Sequence, residues 1–206
     1  MWTSQTLYDL VKEKLKDYLF VVVSNREPYI HTYRNGEIIY QKPASGVTVA
    51  LDPVMRSCGG VWIAHGSGDA DKMVTQKHGH LQVPPERPSY TLRRVWLSTE
   101  QEQAYYLGFA NNALWPLSHI AYTRPVFNEY EWKQYKKVNS LFANTVLEEV
   151  GDQQAFIFIQ DYHMALVAKY LKEQKQNNLI TALFWHIPWP NPEVFRICPW
   201  QNELLE

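Results

Sequence analysis

The sequence predicts an α/β fold in which helices cover both faces of a doubly wound, mostly parallel sheet. Short apolar runs rich in β-branched residues recur along the chain, as in strands that are buried on both faces. Segments of helical period separate these runs, and this alternation favours right-handed crossovers between parallel strands. An Asn-Gly pair between two alternating segments adds an inserted β-hairpin. No repeat or linker divides the 206 residues, so we expect one domain.

The composition is that of an ordinary globular protein. Hydrophobic residues make up 46% and charged residues 20%, and the formal net charge of -1 gives no overall field that attracts nucleic acid or an anionic membrane. No apolar run is long enough to span a membrane, and no basic-then-apolar leader opens the chain. Cys58 and Cys198 form neither a CxxC pair nor a disulfide framework. We therefore expect reduced thiols in a cytoplasmic protein without nucleic-acid or membrane partners.

Aromatic residues account for 14% of the chain, with 8 Trp, 13 Tyr and 8 Phe. Their rings stack well on flat ligands such as sugars and bases, which favours a binding cleft. A core rich in rings explains the same excess equally well.

The N-terminal part combines a helix, a strand and the hairpin. The helical period within residues 1–18 predicts a helix that packs on the domain through one apolar face, formed by Leu7, Leu10, Val11 and Leu15. LFVVV at 19–23 has the continuous apolar character of a central parallel strand. The segments on either side of Asn35-Gly36 alternate between apolar and polar residues and predict the hairpin.

A helix and two strands follow. Residues 47–57 have a helical period and end before Gly59, although Pro53 must lie in the first turns of this helix or kink it. VWIA at 61–64 predicts a second strand, and TLRRVWL at 91–97 predicts a third.

The second half continues the alternation. Residues 129–150 predict one long helix whose buried side contains Tyr135, Val138, Leu141, Phe142, Val146 and Leu147. FIFI at 156–159 predicts a fourth strand and residues 161–174 a helix. ITALFW at 180–185 predicts a fifth, buried strand.

Polar residues follow several of these strands. In a doubly wound sheet the ligand crevice lies at the carboxyl ends of the strands. The residues delivered there are Ser24-Asn25-Arg26, His65-Gly66-Ser67-Gly68, Asp161-Tyr162-His163 and His186. Each alone is more often structural than functional, but an arginine, a carboxylate and histidines at one edge predict a site. Prolines at 188, 190 and 192 restrict the backbone after His186 and hold its imidazole in place.

Two loops suggest other ligands. Ser45-Gly46 precedes a helix, where free N–H groups and the helix dipole favour a phosphate, although a plain turn also explains the glycine. Asp69-Ala70-Asp71 is similar to the DxD pair that holds a metal in some enzymes, but acids in a polar loop are more often solvated. A metal-dependent hydrolase would have to use ligands whose spacing fits no metal-site pattern, namely His65, Asp69, Asp71 and His163. We therefore predict no metal site.

Five motifs, taken in order, resemble the N-terminal domain of trehalose-6-phosphate synthases, retaining glycosyltransferases of GT-B architecture: SNR, the Ser-Gly loop, YY followed by LWPLSH, QDYH and HIPWPNPE. The resemblance extends from about Phe20 to the last residue. It implies a Rossmann-like, acceptor-binding domain at 19–206, preceded by the helix within 1–18, as the N-terminal half of a GT-B enzyme. It also implies a C-terminal donor-binding domain, or a complementary subunit, that this chain lacks.

The resemblance assigns residues to the acceptor side of the site. Arg26 and Tyr106 match residues that bind the acceptor phosphate, and Trp115 matches a tryptophan beside the acceptor glucose. Asp161 matches an aspartate that is bonded to the acceptor hydroxyls. The acceptor region also includes Trp62 and His65.

The donor side takes fewer residues from this chain. Gly46, with Ser45 beside it, matches a glycine whose backbone approaches the donor diphosphate. His186 matches the histidine that contacts the donor sugar near the reacting carbon. The resemblance thus implies that His186 and Asp161 carry the catalytic roles, through positioning and charge stabilisation rather than a protein nucleophile.

The implied reaction transfers glucose from a nucleotide-glucose such as UDP-glucose to glucose 6-phosphate, giving α,α-trehalose 6-phosphate. No cofactor or metal is implied, the isolated domain is expected to be inactive, and a homo-oligomer is compatible with the pattern. His65 stands where the family commonly has a second tryptophan, so another polyol or cyclitol phosphate is an alternative acceptor. A sugar-phosphate-binding regulatory module without catalysis is the alternative from a different class.

Overall fold

The strands form a six-stranded sheet and a separate hairpin. The structure is a computed structural model that describes residues 3–121, 123–174 and 178–206. The strands are β1 (Leu19–Arg26), β2 (Ile30–Arg34), β3 (Glu37–Gln41), β4 (Val61–His65), β5 (His80–Val83), β6 (Tyr90–Val95), β7 (Ala155–Gln160) and β8 (Leu179–Phe184). β2 and β3 pair antiparallel around Asn35 and Gly36, which both have positive φ angles, and this confirms the predicted hairpin.

The sheet order is β5-β6-β4-β1-β7-β8. All neighbours are parallel except β5 and β6, which are antiparallel. The chain builds outward from β1 through β4 and β6, and then returns to the other side of β1 for β7 and β8. The strand order therefore reverses next to β1, and ligands bind at such switch points in doubly wound sheets.

Most of the helices lie between strands in sequence, whereas the first helix precedes β1 and the last two follow β8. The helices are α1 (Ser4–Leu15), α2 (Gly46–Cys58), α3 (Asp71–Val74), α4 (Thr99–Glu102), α5 (Trp115–His119), α6 (Glu129–Val150), α7 (Val167–Glu173), α8 (Pro192–Phe195) and α9 (Gln201–Leu205). A π-helical segment, Gln103–Leu114, joins α4 to α5, and two short 3₁₀ turns span Lys77–Gly79 and Tyr162–Met164. Pro53 lies inside α2, and the N–H of Gly59 closes that helix on the carbonyl of Met55.

Both faces of the sheet are buried, as the sequence predicts. Val21 and Val23 of β1 belong to a core cluster that includes residues of α6, whereas Val22 packs in a second cluster with Met55 of α2. Alternate residues of one strand thus fill two cores, which explains why the strand is apolar at successive positions. The parallel sheet covered on both faces confirms the predicted α/β class.

The N-terminal helix α1 packs against α2. The side chains of Leu7, Val11 and Leu15 are half-buried, whereas Leu10 is exposed. Residues 1 and 2 of the predicted helix lie outside the described residues. Among the described helices, none combines the length and the apolar character needed to cross a bilayer.

Several expectations about burial and extent differ from the structure. β8 ends the strand order, and Ile180 and Phe184 are 48% and 51% exposed, so the strand predicted as buried is an edge strand. Leu141 is exposed on α6 rather than buried. The helix predicted at 161–174 is a 3₁₀ turn followed by the shorter α7. The antiparallel strand β5 escaped prediction because HLQV is short and only half apolar.

A buried ion cluster ties the hairpin to the sheet. Arg94 of β6 is fully buried and pairs with Glu27 at 2.8 Å and with Asp71 at 2.7 Å. The Asp71 carboxylate also accepts hydrogen bonds from the backbone N–H groups of His31 and Gly68. The acids of the DxD pattern thus have structural partners, since Asp69 likewise accepts from the Tyr33 N–H at 3.1 Å.

Candidate functional site

Two small cavities meet at the carboxyl edge of the sheet. One, of about 90 Å³, lies among the ends of β1 and β7, the start of α2 and the π-helical segment. The other, of about 110 Å³, lies towards the end of β4. Asn25, Arg26 and Tyr106 line both cavities. The two therefore form one polar crevice at the predicted edge, with Arg26 at its centre.

The backbone at Arg26 is held by a local irregularity of β1. The register between β1 and β4 shifts between Ser24 and Arg26, as in a β-bulge. The Ser24 hydroxyl donates to the Arg26 carbonyl oxygen at 2.7 Å and accepts from the Trp62 indole N–H at 2.8 Å. This chain of hydrogen bonds fixes the direction in which the exposed Arg26 side chain leaves the strand.

Tyr106 reaches the same point from the π-helical segment. Its phenol oxygen accepts a hydrogen bond from Arg26 Nη2 at 3.1 Å, so its own hydrogen remains available to a ligand. The Tyr106 ring stacks on the His163 imidazole with centroids 5.0 Å apart. A guanidinium and a phenol O–H side by side match the acceptors of a phosphate group.

His65 ends β4 in the second cavity. Its Nδ1 lies 3.2 Å from the Val95 carbonyl oxygen, which can only accept, so Nδ1 carries a hydrogen. Its Nε2 is 3.9 Å from a carboxylate oxygen of Glu102. The side chain is largely buried and lines the cavity together with Ser67.

The N-terminus of α2 faces the first cavity, which Ser45 and Val47 line. The Ser45 side chain makes no capping hydrogen bond, and a Cβ added at Gly46 would meet no atom within 4 Å. The first N–H groups of a helix have no intrahelical partner, and the dipole makes this end attractive to anions. Open space therefore lies in front of an anion-favouring helix end.

Asp161 follows β7 in an unusual backbone conformation. Its φ and ψ are 74° and 166°, a region that is populated almost only by glycine and costs about 1 to 3 kcal/mol. Its Oδ1 accepts from the N–H groups of Tyr162 at 2.9 Å and His186 at 3.2 Å. Burial raises the pKa of the Asp161 carboxyl, although these two hydrogen bonds oppose the shift. Such strain at the crevice favours a functional role.

His186 follows β8 and is exposed. Its Nε2 lies 3.0 Å from Gln160 Oε1, and its backbone N–H is the one held by Asp161. The proline-rich segment beyond it leads into α8, whose N-cap Asn191 accepts from the Val194 N–H. Gln160 and Asp161 therefore contact the imidazole and the backbone of His186, whereas the role of the prolines stays a prediction.

His163 lies behind Tyr106 and is buried. Burial, together with the nearby Arg26, lowers the pKa of His163 to about 3, so the imidazole is neutral at physiological pH. Its Nδ1 is 3.6 Å from Asp161 Oδ2, and its Nε2 has no hydrogen-bond partner within the described chain. No cluster of three or more metal-ligating side chains occurs among residues 3–121, 123–174 and 178–206.

Two predicted site residues lie elsewhere. Trp62 is fully buried and stacks on Tyr90, so it acts on the crevice only through Ser24. Trp115 is exposed and stacks on His119 at 4.1 Å, and neither cavity is lined by it. Five of the remaining predicted residues line the crevice: Arg26, Ser45, His65, Tyr106 and Asp161. Gly46 and His186 line neither cavity and adjoin the crevice, Gly46 between Ser45 and Val47 and His186 through its contacts with Asp161 and Gln160.

The sequence reasoning missed two further contributors. Gln160 is nearly fully buried, lines the first cavity and contacts His186. Glu102 lines the second cavity beside His65. Gln160 had a readable signal, since a polar residue ends the apolar run of β7, whereas nothing in the sequence places Glu102 near His65.

The family model described as Glycosyltransferase family 20 matches residues 18–206. The trehalose-6-phosphate synthase of Mycolicibacterium vanbaalenii is 34% identical over 188 residues, which are 91% of this chain and 37% of that protein. The Mycobacterium tuberculosis enzyme of the same name is 32% identical over 94% of this chain and 38% of its own length. The chain thus spans little more than a third of these relatives.

Solved structures show the same similarity. A structure from E. coli, bound with UDP-2-fluoro glucose, superposes with a TM-score of 0.69 at 30% identity, over 90% of this chain and 37% of that one. A UDP-forming synthase of this type from Burkholderia xenovorans gives a TM-score of 0.70 at 26% identity, over 91% and 36%. By its sequence and its fold, the chain belongs to glycosyltransferase family 20, of which it forms an N-terminal region.

Proposed function

We propose that the chain is the acceptor-binding half of a retaining trehalose-6-phosphate synthase. The reaction transfers glucose from a nucleotide-glucose, UDP-glucose by preference, to glucose 6-phosphate and yields α,α-trehalose 6-phosphate. The observation that carries the proposal is the crevice where Arg26 and Tyr106 lie between the Asp161 carboxylate and His65.

The geometry suits an acceptor with an anionic and a neutral end. The guanidinium of Arg26 and the free hydrogen of Tyr106 suit the phosphate. Asp161 Oδ2 remains available to accept from sugar hydroxyls, because the backbone N–H groups occupy Oδ1. The start of α2, at Ser45 and Gly46, suits the diphosphate of the donor.

The donor-binding part is proposed to come from outside these 206 residues, in the same polypeptide or in a second subunit. The support is that the matched relatives are about two and a half times as long as this chain. We propose that the isolated chain binds the acceptor without turnover, in the cytoplasm, and that neither a metal nor a cofactor takes part. The nucleotide sugar is then a co-substrate.

The test is an assay of the natural polypeptide that carries residues 1–206, incubated with UDP-glucose and glucose 6-phosphate. A phosphorylated disaccharide, detected by mass spectrometry and unaffected by chelator, is the expected product. Absence of product with every nucleotide-glucose and sugar phosphate would refute the proposal. Calorimetric binding of glucose 6-phosphate without turnover would instead identify the regulatory module.

His65 favours a second candidate acceptor. The cavity that it shares with Ser67 and Glu102 is polar, so a polyol or cyclitol phosphate with hydroxyls on that side would find partners there. A panel of phosphorylated acceptors separates the two candidates. Faster turnover of such an acceptor than of glucose 6-phosphate would replace the first candidate with the second.

A further inference from the structure

We infer that Gln160 is a positioning residue for His186, because it holds the imidazole in the tautomer that carries its hydrogen on Nε2. The inference rests on the proposed function only for the identity of the ligand that His186 meets. Gln160 is 3% exposed, ends β7 and pairs in register with Phe184, two residues before His186. A buried amide thus stands directly behind an exposed imidazole.

The orientation of the Gln160 amide follows from its second contact. The side-chain Nε2 of Gln160 lies 3.5 Å from the Phe158 carbonyl oxygen. A carbonyl oxygen only accepts hydrogen bonds, so the amide nitrogen, which donates, is the atom that suits this long contact. Reversing the amide would place oxygen against oxygen there. The atom that faces His186 Nε2 at 3.0 Å is therefore Oε1, which has no hydrogen to give.

This orientation determines the hydrogen positions on His186. Since Gln160 Oε1 only accepts, the imidazole Nε2 must carry a hydrogen, and in the neutral ring Nδ1 is then a bare acceptor. Within the described residues, no partner occupies Nδ1. A bare nitrogen suits a hydroxyl group and not an anion, so the amide selects a sugar hydroxyl over a phosphate at this edge.

The remaining contacts fix the ring rather than its hydrogens. Asp161 holds the His186 backbone N–H, and the Phe184 ring lies 4.5 Å from the imidazole. Neither contact distinguishes the two tautomers. The task of setting the tautomer therefore belongs to Gln160 alone among the neighbours of His186 in the described chain.

The first experiment measures the ¹⁵N spectrum of the His186 imidazole in this chain without ligand. The Nε2-protonated tautomer is expected in the wild type, and a mixture in Gln160→Met, which keeps the side-chain length but lacks the amide oxygen. Gln160→Glu should raise the pH at which His186 protonates, because a carboxylate stabilises the imidazolium. Gln82→Ala, a strand glutamine bonded to Thr91, is the matched control.

Two spectral results would overturn the inference: a wild type with the hydrogen on Nδ1, or an unchanged tautomer in Gln160→Met. Kinetics of the natural polypeptide give a second readout. Gln160→Met should lower kcat by about tenfold, the loss of one good hydrogen bond, with the acceptor KM unchanged within about twofold. A raised KM at constant kcat would also contradict it.

A wild-type polypeptide without any transferase activity would refute the proposed function, whereas the spectra would still decide the role of Gln160.

Discussion

Arg26 donates a hydrogen bond to the Tyr106 oxygen at 3.1 Å, across 80 residues of sequence. The contact joins the end of β1 to the π-helical segment, which packs in the same core cluster as Val21 and Val23. The contact makes the two groups one unit, since each is oriented by the other, and we propose that this unit recognises an anion.

Replacing Arg26 by alanine should weaken the binding of glucose 6-phosphate by about 1.5 to 3 kcal/mol, the scale of a charged hydrogen bond, and leave glucose unaffected. Tyr106→Phe, which keeps the stacking on His163, should lose less. Because the two groups touch, the double variant should lose less than the sum of the single losses. Calorimetry measures all four proteins, and equal losses for glucose and its phosphate would remove Arg26 from the phosphate.

Asp161→Asn keeps an oxygen for the two backbone N–H groups but removes the charge. The free energy of unfolding should therefore change by less than about 1 kcal/mol, whereas glucose 6-phosphate should bind about tenfold more weakly or worse. Inorganic phosphate, which Arg26 is proposed to recognise without the sugar, serves as the control ligand. A variant that loses both ligands equally would show that Asp161 supports the crevice and does not bind hydroxyls.

Gly46→Ala should fold normally, because the added Cβ meets open space and the φ angle of Gly46 is not positive. The methyl group would occupy the space in front of the α2 N-terminus, so binding of the nucleotide sugar to the natural polypeptide should weaken. Val49→Ala, an exposed change on the same helix, is the control. Unchanged donor affinity in the alanine variant would place the diphosphate elsewhere.

The buried ion cluster predicts a dependence of stability on pH. Burial, with a hydrogen bond to Asp71, raises the pKa of Glu27 to about 8, although Arg94 opposes the shift. A carboxyl whose folded pKa exceeds its unfolded pKa contributes stability at low pH, and this contribution is lost as pH rises from about 4.5 to about 8. Glu27→Gln should flatten that decline in urea unfolding curves measured across the window. A decline of equal slope in the variant would assign it to other groups.

The sequence predicted the structure best where a residue pattern is compatible with only one local structure. LFVVV predicts β1 because successive apolar positions require burial on both faces, and Asn35-Gly36 predicts the hairpin because both residues adopt positive φ angles. The edge position of β8 is different, since the apolar run of an edge strand looks like that of a central one. Only the pairing of strands decides which of them has neighbours on both sides.

The site shows the same division. The polar residues at strand ends are readable because parallel strands bring their carboxyl ends to one edge. The direction in which each side chain points cannot be read from the sequence. Trp62 turns into the core, and Trp115 stacks on His119 and lines neither cavity. The contact of Gln160 with His186 joins two neighbouring strands, so it follows from register and not from sequence spacing.

Hydrogen bonds join the hairpin strand β2 to residues 69–71, beyond β4. They affect the entropy that a ligand would lose on binding. The connection from Arg26 to Ser45 is long. If it were a free loop, it would lose much conformational entropy when a ligand bound and ordered it. His31, Tyr33 and their bonds to Asp71, Asp69 and Ala70 pin this connection in the unliganded chain. The entropy is therefore lost during folding, so Arg26 and the N-terminus of α2 are already in register before a ligand arrives.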